Sequence, residues 1–269
     1  MGIELTYIGS SSSGNSYIIR GGETVVILDV GLSGKKIKAG LAELELRTCD
    51  VDAILVTHEH VDHIKSIRMM ARECRQARII TSEGTYNACD SMKDIDGGRL
   101  TFVSGGESLT VGELGIRTFK LSHDAAEPVG FALEYEDDRL VVVTDTGIVT
   151  EEIRKEIMRA NKIVFESNYE ENLLLMGPYP YNVKRRILGD FGHLSNEIAG
   201  NMLSEMVQRQ KEEAELLKAP RIMLAHISTT NNTAGQARYT VESIMKKHGH
   251  NSGADYDMII AAKEGITRL

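Results

Sequence analysis

The chain has 269 residues, 42% of them hydrophobic, and carries 31 basic against 39 acidic side chains, a net charge of −8. That is ample apolar content for a core, but it excludes a general attraction to nucleic acid or anionic membranes, so any contact with phosphate must be local. The N-terminal MGIELTYIG lacks a basic stretch leading into a long apolar one, and no run approaches the ~20 apolar residues of a bilayer span; a cytoplasmic protein without membrane contact is expected.

The first elements are short β-branched runs, LTYIG, SYIIR and TVVILDVG, with Gly21 and Gly22 turning between the last two. SGKKIKAGLAELEL then places Ile37, Leu41 and Leu44 at helical spacing behind a Ser33 cap. VDAILVTH reads as a buried strand, and a helix is predicted from about Asp62 to Cys74. After the short strand ARIITS, residues 100–143 are rich in hairpins, with turns at 112–115 and 136–138. Alternation follows: a helix near 151–160, strand KIVFESN, a long helix from about Ser195 to Lys218 with Leu216 and Leu217 at its solvated end, strand RIMLAHIS, a helix near 233–248, and a last strand in YDMIIAAKEG. Two strand-rich parts flanked by helices predict sheet packed on sheet with helices outside. No repeat, low-complexity tract or Pro/Gly-rich linker divides the chain, and a single domain over 1–269 is expected.

Three cysteines, Cys49, Cys74 and Cys89, stand far apart with no CxxC pair, which reads as free thiols rather than a disulfide framework or a cysteine zinc site. The metal chemistry lies elsewhere, in THEHVDHIKS. His58 and His60 alternate by two at the end of a buried strand and point to one side, while Asp62 and His63 lie in the first turn of the following helix and can return toward the same point. Imidazole and carboxylate are ligands for zinc, manganese or iron(II), and a carboxylate at a helix start also suits the helix dipole. Further candidates close other apolar strands: His123 after RTFKLS, Asp145 after LVVVT, and His226 after RIMLA.

The HxHxDH pattern, followed by a later His, an Asp after a strand and a final His, resembles the metallo-β-lactamase superfamily over essentially the whole chain. The stretches GSSSSGNSYII, LDVGLSGKKI, SHDAAEPVGF, TDTG, ESNYE, KRRILGDFGHLSNE and HISTTNN are similar to its YycJ/WalJ-like bacterial branch. The resemblance implies a four-layer αββα sandwich and two divalent metal ions, zinc or manganese. In that scheme His58, His60 and His123 hold one ion, Asp62, His63 and His226 the other, Asp145 bridges them, and Asp29 orients a ligand histidine. Val61, where relatives often carry a small polar residue, is expected to point away from the site.

Paired ions ~3.5–4 Å apart activate water near neutral pH and stabilise entering and leaving oxygens, so hydrolysis is the expected reaction. GDFGHLSNE with the later His226 resembles nucleolytic members such as ribonuclease J, which implies that His193 binds phosphate or protonates the leaving oxygen beside Asp62 and Asp145; a histidine just before Ser195 also suits capping or packing. Lys184, Arg185 and Arg186 form the densest basic cluster, next to Tyr179 and Tyr181, and are candidate contacts to a nucleic-acid backbone and bases. The GSSSSGNS loop, with Ser12 and Asn15, is a candidate anion contact through backbone N–H groups. The expectation is a two-metal phosphodiesterase on nucleic acid, most simply a DNA exonuclease, without the inserted β-CASP domain of ribonuclease J. The alternatives are a hydrolase of small or cyclic diesters and a non-catalytic metal-binding regulatory module.

Overall fold

The computed structural model describes residues 2–9, 14–213, 219–262 and 265–269; Ser12 and the predicted helix end at Leu216 and Leu217 lie outside the described residues. Strands β1 (Glu4–Tyr7), β2 (Tyr17–Gly21) and β3 (Thr24–Leu28) come first, then α1 (Gly34–Glu43), β4 (Ala53–Leu55), α2 (Val61–Ile64) and α3 (Ile67–Glu73). They are followed by β5 (Arg78–Thr81), α4 (Glu83–Ala88), β6 (Leu100–Phe102), β7 (Ser108–Val111), β8 (Leu114–Lys120), β9 (Val129–Tyr135) and β10 (Asp138–Val143). The remainder alternates: α5 (Glu151–Ile157), β11 (Lys162–Glu166), α6 (Glu171–Met176), α7 (Tyr181–Leu188), α8 (Asn196–Glu212), β12 (Arg221–Ala225), α9 (Ala234–Lys247), β13 (Asp257–Ile260) and β14 (Thr267–Arg268). The strands form two seven-stranded sheets, and the chain divides into two compact units.

The first unit comprises Met1–Lys120, Ala125–Asp138 and Ala262–Arg268. Its seven-stranded sheet runs β14-β1-β2-β3-β4-β5-β6, antiparallel as far as β3 and parallel from β3 to β6. Every residue of β3 and β4 is buried, which is why TVVIL and AIL read as unbroken apolar runs rather than alternating ones. Ile37 and Leu41 of α1 and Ile67, Met70 and Ala71 of α3 join Val25, Ile27, Ile54 and Ile79 in one apolar cluster. Ser33 caps α1 by accepting from the Lys36 N–H, as its position predicts. The same unit holds the antiparallel meander β7-β8-β9.

The single helix expected over 62–74 is instead two. Ser66 gives its amide hydrogen to the Val30 carbonyl at 2.9 Å and its hydroxyl to the Leu32 carbonyl, so the i→i−4 bond that would continue α2 is not made. The break separates the turn that carries Asp62 and His63 from α3, whose end is closed by Arg99 donating to the carbonyls of Ala71, Cys74 and Ala77.

The second unit comprises Leu121–Asp124, Arg139–Ala261 and Leu269. Its strands β10 to β13 are all parallel, with Val143, Phe165, Leu224 and Ile260 in successive register. The C-terminal ends of β10, β11 and β12 therefore line up, and the residues that follow them emerge side by side. Thr150, Ser195 and Thr233 cap α5, α8 and α9 through their hydroxyls. Among the described residues no helix is long and apolar enough to cross a membrane.

His250, in the turn after α9, is 1% exposed, and burial reinforced by the Lys211 ammonium pushes its pKa below the ordinary histidine value. A base depressed in this way binds fewer protons folded than unfolded, so stability is full above the unfolded pKa of ~6.5 and falls as pH drops through it. Urea unfolding between about pH 8 and 5 should show this loss, with a slope of at most about 1.4 kcal/mol per pH unit from this residue. His250→Gln should flatten the profile relative to the unaltered chain, and parallel profiles would refute the assignment.

Candidate metal centre

In the first unit the site grows from the ends of β3 and β4. Asp29, directly after β3, sits in the left-handed region at φ 57° and is 1% exposed. Its Oδ1 accepts the Thr57 N–H at 2.9 Å and its Oδ2 lies 2.7 Å from His63 Nδ1. A carboxylate here only accepts, so His63 carries its proton on Nδ1 and turns a lone pair outward on Nε2. The Thr57 hydroxyl donates to Asp29 Oδ2 at 2.9 Å and can then accept from His58 Nδ1 at 3.0 Å, which fixes His58 in the same tautomer. One buried acid thus orients two histidines, one directly and one through a hydroxyl.

The rings gather tightly. His58 and His63 have centroids 4.1 Å apart, His60 stands edge-on to His58 at 4.6 Å, and Asp62 Oδ2 is 3.7 Å from His63 Nε2. The start of α2 is pinned by backbone: the Asn15 N–H donates to the Asp62 carbonyl at 2.7 Å, and Gly31 passes so close that a Cβ there would lie 1.6 Å from the same oxygen. Val61 is 71% exposed and points away, and Glu59 turns aside to accept from the Ala126 N–H. Asn15 is buried, and its Nδ2 lies 3.1 Å from His63 Nε2.

In the second unit the centre of the arrangement is Glu166, the last residue of β11 and fully buried. Its Oε1 lies 2.6 Å from His226 Nδ1 and 2.9 Å from His193 Nδ1, while its Oε2 accepts from the N–H groups of Leu194 and Thr146. Burial pushes this carboxyl up, but the charge and hydrogen bonds of His193 and His226 prevail and hold it down at about 2. An ionised Glu166 leaves both histidines protonated on Nδ1. His123 is held alike, its Nδ1 donating to the Gly192 carbonyl at 3.2 Å, and burial above all pushes its pKa down toward the neutral form that a ligand requires.

Nε2 of His226 and of His123 lies 3.4 and 3.8 Å from Asp145 Oδ1. Imidazole nitrogens and carboxylate oxygens gathered in this way suit a divalent metal ion. Asp145, Glu166, His193 and His226 each bring a donor atom to within 4.8 Å of the others, although Glu166 is already engaged by four N–H groups.

Asp145 and His226 share the backbone strain of Asp29, at φ 60° and 53°. The Asn168 amide braces the His226 carbonyl at 2.8 Å. Non-glycine residues in this region are uncommon and collect where a side chain must be aimed. Glu166 is the member that sequence reasoning missed: it ends an apolar strand as Asp145 and His226 do and opens the ESNYE stretch, and those two features were its signals.

The basic cluster is largely engaged within its own unit. Lys184 Nζ donates to the Leu175 carbonyl at 2.7 Å, Arg186 pairs with Asp124, and Arg185 lies over the Tyr181 ring at 5.9 Å.

Strand-end histidines and acids arranged in this way, with tautomers set by buried acceptors, define a metal-dependent hydrolase, an enzyme that binds divalent metal through His and Asp. A family model described as the beta-lactamase superfamily domain matches residues 26–227, and the chain belongs to that superfamily. It is 35% identical to the exodeoxyribonuclease YycJ of Bacillus anthracis over 96% of this chain and 95% of that protein. It is 32% identical to the exodeoxyribonuclease WalJ of Streptococcus pneumoniae over all of this chain and 98% of that protein. The solved metallo-β-lactamase fold protein YhfI from Bacillus subtilis matches with a TM-score of 0.72 at 13% identity over the full length of both chains. The fold is thus the metallo-β-lactamase one, the αββα class expected from the sequence, and the chain's likeness to the YycJ and WalJ proteins bears out the expected branch.

Asp29→Asn and Glu166→Gln should each lower divalent-metal affinity ~10–100-fold in a competitive chelator titration while the chain stays folded. Unchanged affinity in both would refute the orienting roles.

Proposed function

We propose that the chain is a two-metal phosphodiesterase that acts on nucleic acid, specifically a DNA exonuclease. The observation that carries this reading is the gathering of donor atoms from Asp145, Glu166, His193 and His226 within 4.8 Å of one another, a His and carboxylate set that suits a cation. The naming of both full-length relatives as exodeoxyribonucleases supports DNA as the polymer.

In this reading His58, His60 and His123 would hold one ion, Asp62, His63 and His226 would hold the other, and Asp145 would serve both; zinc and manganese both suit such donors. The ions, when bound, supply Lewis acidity and a nucleophile at neutral pH. The protein residues do the rest. Asp29 and Thr57 keep His63 and His58 in register, and Glu166 does so for His226. His193, partly exposed and tied through Nδ1 to Glu166, presents Nε2 as the proton donor to the leaving oxygen, with the Glu166 carboxylate as its counter-ion.

Asp145→Ala should lower metal content and hydrolysis together, as elemental analysis and a DNA assay would show; a fully loaded, active Asp145→Ala chain would remove the bridge. The leaving-group dependence of His193 gives a second check. A DNA alkoxide needs protonation and a nitrophenolate does not, so His193→Ala should keep its metals, lose ~10²–10⁴-fold on DNA, and lose far less on bis(p-nitrophenyl) phosphate. Comparable losses on both substrates would assign His193 to phosphate binding, and loss of metal would exchange its role with His226.

A further inference from the structure

Helix α7 contains no buried residue. Tyr181, Arg185 and Leu188, spaced i, i+4 and i+7, share its outer face, and Phe191 follows three residues on. Tyr181 is 76% exposed, Phe191 63% and Leu188 40%. The opposite face fastens the helix: Arg186 pairs with Asp124, the His193 N–H donates to the Ile187 carbonyl at 3.1 Å, and the Ser122 hydroxyl donates to the Asp190 carbonyl at 2.7 Å. Gly192 allows this closure, since a Cβ there would lie 2.1 Å from the Ile187 carbonyl. The exposed face is thus held rigidly and leads, two residues beyond Phe191, into His193.

We infer that the Tyr181–Arg185–Leu188–Phe191 stripe is a stacking platform for unpaired bases of the nucleic-acid strand entering the site. This rests on the proposed nuclease reading and narrows its substrate to a strand with unpaired nucleotides. Charge favours that occupant. The chain is anionic overall, yet the stripe carries one guanidinium, with no carboxylate partner among the described residues and set over an aromatic ring. Aromatic faces with an interleaved arginine bind bases regardless of sequence, while the arginine meets the backbone phosphate. Lys184 and Arg186, engaged elsewhere, hold the platform up. Arg185 is the member of the basic cluster that meets the polymer.

The test is fluorescence anisotropy on the full metal-loaded chain, using a short phosphorothioate single strand with bases and an abasic strand of equal length. The unaltered chain should prefer the base-bearing strand ~10-fold or more; Tyr181→Ala and Phe191→Ala should each cost ~10-fold on that strand and little on the abasic one, and Tyr181→Trp should retain binding. Arg185→Gln should make the salt dependence shallower by about 0.7, one phosphate contact on a single strand. Equal losses on both strands, or none, overturn the platform, as does a change of molecular mass in solution on Tyr181→Ala, which would make the stripe an interface between copies. If the unaltered chain discriminates bases but hydrolyses no DNA, the nuclease reading falls alone. If it hydrolyses DNA while the ring variants bind as it does, the platform falls alone.

Discussion

The arrangement of donors depends on two buried carboxylates, Asp29 and Glu166, whose only capacity is to accept. Asp29 meets one imidazole and one backbone N–H, and Glu166 meets two imidazoles on one oxygen and two backbone N–H groups on the other. The imidazole contacts fix which ring nitrogen keeps a lone pair, and the backbone contacts fix where the carboxylate sits relative to the strand ends. Burying an acid is costly unless it is hydrogen-bonded, and Asp29 meets the Thr57 N–H, the Thr57 hydroxyl and His63 Nδ1 while Glu166 meets two backbone N–H groups and two imidazoles. If either acid were neutral, the histidine tautomers would be free to invert, and the donor set would lose the property that makes it suit a cation.

Parallel strands make this economical. Because β10, β11 and β12 end in register, the residues just beyond them need no long loops to meet. β3 and β4 do the same for Asp29 and Thr57, with the Asp29 N–H donating to the Leu55 carbonyl at 2.8 Å. The rigid elements carry short excursions, and the precision of the site is inherited from the ladders.

Legibility in the sequence followed locality. His58, His60, Asp62 and His63 fall within six positions, so their chemistry was visible without a fold, and strand–helix alternation was visible because apolar periodicity is local as well. Asp29, Asp145, His123 and His226 were each just a polar residue after an apolar run, and a family pattern was needed to join them. Glu166 had the same appearance but meets His193 and His226 27 and 60 residues away, and no spacing reveals such a contact. The partner of Arg186 was hidden for the same reason: Asp124, which engages it, lies 62 residues upstream. The break at Ser66 was hidden too, because the carbonyls that capture its amide and hydroxyl belong to the loop after β3.

The left-handed backbone at Asp29, Asp145 and His226 has a consequence for anyone engineering this chain. Glycine, or asparagine at less strain, is the usual remedy at such positions and would relieve on the order of 1 kcal/mol at each. At these three places the remedy removes a carboxylate or an imidazole of the strand-end cluster, so stabilising substitutions must be sought elsewhere in the fold. Thermostable variants selected without regard to activity would drift toward glycine there, and a glycine at any of these positions in such a pool would mark a chain that had been released from its chemistry.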